Sequence, residues 1–316
     1  MKKIYFFLVM LGVCSAAYGQ QDAQYTQFMF NKLSLNPGYV VATDYACVSC
    51  LHRSQWVGFE GAPTSQSANF RMPLRNRNVG LGLSLNSDKL GPTSSFDASL
   101  IYGYRIDFEK GSLGVGLKGT IRNHKIDWDK AETLESGDGV TGANVTAENN
   151  FNAGLGLYYY APKYYVGISV PRLINNDISQ IDSPVATTND FSKEEFHAFL
   201  MAGVLFDMND NIKLKPALLF KYSKNAPLDL DLNVNVIFFE KLWTGITYRF
   251  GGFDEGDLGE SIDFILQYQI SNPIKIGVAY DYTLSKVRNY NSGTYELMLE
   301  YCFSPQGNKI NNPRFF

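Results

Sequence analysis

Beyond its first nineteen residues the chain has no run of about 20 apolar residues, so it offers no helix of the kind that crosses a bilayer. Charge is also sparse: Asp, Glu, Lys and Arg together make up 19%. Lys2 and Lys3 are the only charges in the first nineteen residues, and without them 26 basic residues face 31 acidic ones. That balance excludes the basic footprint of a nucleic-acid binder. Histidine (3), tryptophan (3) and cysteine (4) are scarce, which leaves little material for metal or acid–base chemistry. What is abundant is tyrosine (20), phenylalanine (22) and glycine (28). This mixture suits strands that meet an apolar medium on one side and a close backbone neighbour on the other. A mean hydropathy of −0.16 fits a membrane barrel, because half of each strand faces a polar lumen.

Residues 1–19 read as a secretory signal. Lys2 and Lys3 form the charged start, residues 4–13 the apolar stretch, and Ala17 and Gly19 supply small residues before a cleavage point at Gln20. Cys14 as a lipoprotein acceptor is the weaker alternative, since Val13 before it is bulky. Residues 20–43 are polar and aromatic with little periodicity, and could fold into a lumen as a plug or hang in the periplasm. Residues 44–303 carry the strands, and 304–316 form a Pro, Asn and basic tail expected in the periplasm.

Period-two alternation dominates 44–303. In the last segment Tyr295, Leu297, Leu299, Tyr301 and Phe303 share one face, while Glu296, Met298, Glu300 and Cys302 share the other. Similar patterns appear in fourteen segments: 45–56, 64–72, 78–88, 94–106, 112–127, 149–160, 163–170, 195–207, 212–223, 228–238, 242–250, 260–270, 274–284 and 294–303. Most are at least nine residues long, enough for a tilted strand to cross a hydrocarbon layer of about 30 Å. The links sort by length. Those at 73–77, 107–111, 161–162, 208–211, 239–241 and 271–273 are tight. The four of nine or more residues, 128–148, 171–194, 251–259 and 285–293, all fall on the other side. Outer-membrane barrels sort their links in this way, with short periplasmic turns and longer outside loops. The fold class expected is therefore all-β: an antiparallel transmembrane barrel of about fourteen strands, with both strand-bearing ends on the periplasmic side. Asp97, Arg105, Lys118, Arg122, Asp263, Lys275 and Glu296 would point into a lumen that holds water, a plug or a ligand. Tyr102, Tyr104, Tyr282 and Tyr301 fit interfacial girdles.

No constellation in the chain signals catalysis. Cys47 and Cys50 are three apart, so in a strand they face opposite ways and cannot share a metal. Small apolar filler is the expected role, with Cys302 alone on the lumen face. Gly80, Gly82, Gly114 and Gly116 lie inside strands, where they let an inner element come close; they are not phosphate loops. The acidic loop with Asp127, Asp129, Glu132, Glu135 and Asp138 lacks calcium-loop spacing and reads as solvated surface. The chain is therefore expected to be no enzyme and to hold no cofactor or metal.

The residues at 22–31, Asp-Ala-Gln-Tyr-Thr-Gln-Phe-Met-Phe-Asn, followed by Leu35-Asn36-Pro37-Gly38-Tyr39, resemble the start of the PorP/SprF family of type IX secretion system membrane proteins. So do Arg53-Ser54-Gln55-Trp56-Val57-Gly58 with 61–66, the run 79–83 with 88–93, and the terminal Asn312-Pro313-Arg314-Phe315-Phe316. The resemblance implies a non-enzymatic outer-membrane barrel that assists export, or holds a secreted adhesin at the surface, as in gliding. It also implies partners: outer-membrane lipids, a secreted adhesin or cargo protein, and the periplasmic ring of the secretion machine. The candidate functional surface is Gln27, Phe28, Asn31, Asn36, Pro37, Tyr39, Arg53, Gln55 and Trp56. These residues either contact a partner, or Asn36, Arg53 and Trp56 simply lock a plug to the wall. The competing function is a passive channel for a small or hydrophobic solute.

Overall fold

The computed structural model describes residues 24–74, 77–127, 145–146, 149–176, 196–223, 229–251 and 259–303. The signal-like segment 1–19, the tail 304–316, and most of the loops 128–148 and 171–194 lie outside the described residues. Within them run fourteen strands of eight residues or more. The first seven are β1 (Ala46–Ser54), β2 (Thr64–Pro73), β3 (Val79–Leu90), β4 (Thr93–Phe108), β5 (Gly111–Ile126), β6 (Asn150–Ala161) and β7 (Tyr164–Arg172). The rest are β8 (His197–Val204), β9 (Ile212–Ser223), β10 (Asp229–Phe238), β11 (Leu242–Phe250), β12 (Ser261–Gln269), β13 (Ile274–Thr283) and β14 (Thr294–Phe303). Two further two-residue strands, Val145–Thr146 and Phe206–Asp207, extend β5 and β9 pairings. Thirteen consecutive antiparallel pairings join neighbours in chain order, and β14 then pairs with β1 from Ala46 opposite Phe303 to Ser54 opposite Tyr295. The sheet therefore closes with no edge toward lipid, which a bilayer requires because it cannot satisfy stray N–H and C=O groups.

The alternation read in the sequence sorts the side chains as expected. On β14, Thr294, Glu296, Met298, Glu300 and Cys302 are buried, and Tyr295 through Phe303 in steps of two are exposed. Leu100 is 73% and Phe151 66% exposed, and both sit in an outward belt of Leu, Ile, Val, Phe and Tyr that runs around the barrel. In water this would be an aggregation surface. Against hydrocarbon each such side chain is stabilised by about 2 kcal/mol, so the belt drives insertion. Tyr102, Tyr104, Tyr282 and Tyr301 all face outward.

One expectation fails. Cys47 is not apolar filler and Cys302 does not stand alone: the two form a disulfide across the β1–β14 seam, with a Cα–Cα distance of 4.1 Å and a sequence separation of 255. Strand parity does separate Cys47 from Cys50, which is free and outward. Ring closure is what brings the last strand beside the first and sets Cys47 opposite Cys302.

Candidate functional site

Of the two fates open to the amino-terminal segment, the structure shows the lumen. Residues 25–41 are almost all buried inside the barrel. They form a loose turn, a four-residue helix α1 (Lys32–Leu35), and a 3₁₀ turn over Pro37–Val41. The segment threads the lumen lengthwise. Gln24 sits beside Asp229 at the long-loop end of β10, and Asp44 meets Arg105 near the short-turn end of β4.

A charged layer near the long-loop end grips the start of this plug. The Gln24 amide donates to Asp229 (2.6 Å), and the Lys221 ammonium donates to the Gln24 oxygen (2.9 Å). The Thr26 and Gln27 backbone N–H groups donate to the two Glu296 carboxylate oxygens (2.6 and 3.0 Å). The Thr26 hydroxyl donates to Asp281 (2.7 Å) and accepts from Arg53 (2.7 Å). Arg53, 2% exposed, also pairs with Asp281 (2.9 Å) and Glu296 (2.5 Å). Beside it Arg249 reaches Asp231 (3.0 Å) and Asp263 (3.5 Å), and Lys221 reaches Asp231 (2.9 Å). Charge-assisted bonds between buried groups hold harder than the same pairs at a surface. Each removed partner would strand a buried charge.

Toward the short turns the lumen becomes aromatic and basic. Phe30 packs edge-on against Trp243 at 5.1 Å, and Tyr39 against Tyr158 at 5.2 Å. The Lys32 ammonium donates to the Tyr158 hydroxyl (2.8 Å) and lies 3.9 Å from the Tyr165 ring centroid, a cation–π contact. The Lys215 ammonium also lies over the Tyr165 ring, at 5.7 Å from its centroid.

Asn36 fixes the path of the plug. Its carbonyl accepts from Gly38 N–H (2.8 Å) and its amide donates to Leu157 O (3.0 Å) and Ile168 O (3.2 Å). A carboxylate could not make those last two bonds. Asn31 donates to Ser67 and accepts from Asn69, and Ser169 donates to Leu35 O. The strand glycines do what their lumen-facing positions imply. A Cβ at Gly116 would lie 2.2 Å from the Pro37 carbonyl carbon, and one at Gly114 would lie 2.2 Å from Gly38 O. Together with Gly80, Gly103 and Gly156 they form a groove into which residues 37–41 fit.

The structure thus gathers Gln27, Phe28, Asn31, Asn36, Pro37, Tyr39 and Arg53 into one buried interface between plug and wall. Gln55 and Trp56 are elsewhere. They lie in the β1–β2 loop, where Gln55 N–H donates to Pro63 O and Trp56 N–H donates to Thr294 Oγ1, with Trp56 at a φ of +48°. Asn36 and Arg53 hold the plug; Trp56 holds a loop. Thr26, Gln24, Asp281 and Asp231 complete the charged layer and were not singled out from sequence. Only strand parity put the acids on the lumen side, and parity says nothing about partners.

Among solved structures the fold is similar to that of the outer membrane protein Omp33 of Acinetobacter baumannii, at 8% identity, covering 82% of this chain and 98% of that one, with a TM-score of 0.48. It is also similar to the CymD monoaromatic hydrocarbon channel, at 12% identity over 92% of this chain and 96% of that one, TM-score 0.50. The Ralstonia pickettii toluene transporter TbuX matches at 9% identity, covering 91% and 96%, TM-score 0.50. Such identities speak to architecture only. No curated protein matches the chain. With a closed lipid-belted barrel, and a match of residues 17–301 to the description "Type IX secretion system membrane protein PorP/SprF", the chain is an outer-membrane barrel that belongs to the PorP/SprF family.

Proposed function

We propose that this barrel works as a plugged, non-enzymatic scaffold that assists export of a partner protein or retains it at the cell surface, the partner being an adhesin of the kind used in gliding. The observation that carries the reading is the occupied lumen: residues 24–43 run its length, ion-paired at one end and seated on strand glycines at the other. A solute channel of this size would need that space. With the short turns toward the periplasm, the tail 304–316 would emerge on the side of the periplasmic ring of the secretion machine, available for docking. Deleting the gene should remove one adhesin from the cell surface while the barrel's neighbours assemble normally. A deletion strain whose full secreted set stayed surface-bound would defeat the proposal.

A further inference from the structure

Over its described residues the plug crosses the lumen once and does not turn back. In chain order its wall partners step from the long-loop end to the short-turn end. Thr26 and Gln27 bond to Glu296, near the long-loop start of β14. Asn31 meets Ser67 and then Asn69, further down β2. Asn36 donates to Leu157 O on the lower half of β6, and Gly38 packs against Gly114 near the short-turn end of β5. The Tyr160 hydroxyl donates to Val41 O (3.1 Å) beside the 161–162 turn, and Asp44 ends against Arg105 (3.3 Å). A hairpin plug would return its partners to the end where they began.

The chain upstream of Gln24 has no way back down the same lumen. In the charged layer Thr26, Gln27, Asp231 and Asp263 are 0% exposed, Arg249 is 1% and Arg53 is 2%. Packing that tight among the described residues leaves no passage for a second strand. The upstream chain therefore leaves through the long-loop mouth. In outer-membrane barrels the short turns face the periplasm and the longer loops face outside. β1 begins and β14 ends at the short-turn end, so the amino-terminal end and the first strand lie on opposite sides of the membrane. A secreted chain reaches the outer membrane from the periplasm, and its leading end has then travelled through its own ring. We propose that this barrel passes its own amino-terminal end across the outer membrane, so that the residues upstream of Gln24 are displayed at the cell surface. The inference rests on the strand orientation and the direction of the plug, and not on the partner reading above.

The test uses two tagged forms of the full-length protein in cells, one with an epitope between Asp22 and Ala23 and one with the epitope after Phe316. Antibody should bind the first on intact cells as strongly as after permeabilisation. The second should rise from background only after permeabilisation. An amino-terminal epitope reached only after permeabilisation would overturn the proposal, and so would two epitopes on the same side. Should the insertion block assembly, Asp44→Cys in a Cys50→Ala background reads the other end of the plug. A membrane-impermeant maleimide should leave that cysteine unlabelled on intact cells and label it once they are permeabilised. Labelling on intact cells would place Asp44 outside and overturn the proposal as well.

Discussion

Arg53 and Lys32 are equally buried, yet the lumen treats them differently. Arg53 neutralises Asp281 and Glu296 and donates to Thr26, so Arg53→Ala removes the nearest counter-charge from two buried carboxylates. A loss of about 3–5 kcal/mol is expected, read as a lower denaturant midpoint for the folded barrel in detergent. Lys32 lies among cations and aromatic rings and donates to the Tyr158 hydroxyl, with no carboxylate in ion-pair contact among the described residues. Lys32→Met should therefore stabilise by about 1 kcal/mol, since a desolvated charge disappears and the methionine keeps the ring contacts. A fall in the denaturant midpoint of Lys32→Met would show that Lys32 is a net stabiliser.

Elements meet by backbone contact as much as by side chains. A methyl at Gly116 would collide with the Pro37 and Gly38 backbone at 2.2 and 2.3 Å, whereas one at Gly119 would meet nothing within 4 Å. Gly116→Ala should dislodge residues 37–41 and expose the segment to protease with the barrel intact, and Gly119→Ala should be silent. If both variants resisted protease equally, the glycine groove would not be what seats the plug. At the seam the Cys47–Cys302 bond spans nearly the whole strand region. In the chain-entropy account a loop of that length is worth about 5 kcal/mol. Cys302→Ser, or reduction, should lower the temperature at which the barrel loses its compact migration on gels; no shift would mean that strand pairing alone holds the seam. The strand positions were legible because parity repeats fourteen times and is set locally. The plug's partners were not. Nothing near Thr26 in sequence announces Asp281 or Glu296, and Cys47 finds Cys302 only after the ring closes. Even so, the glycines at 80, 82, 114 and 116 marked the wall that would receive an inner element.

At the scale of the whole molecule, a fourteen-strand barrel is wide enough to hold a channel, and this one is filled by its own amino-terminal segment. Toward the long loops Asp229, Asp231, Asp263, Asp281 and Glu296 form an ion-paired layer with Arg53, Lys221 and Arg249, and toward the short turns Lys32, Lys215 and Lys275 lie among aromatic rings. The plug connects the two layers, so moving it would break both at once. That coupling suits a rigid scaffold that presents its loops and ends to other proteins. Single-channel recording in planar bilayers tests this most directly. The full-length protein is predicted to be silent, and the same barrel lacking residues 24–43 to conduct. A solute-selective current through the full-length protein would contradict the account.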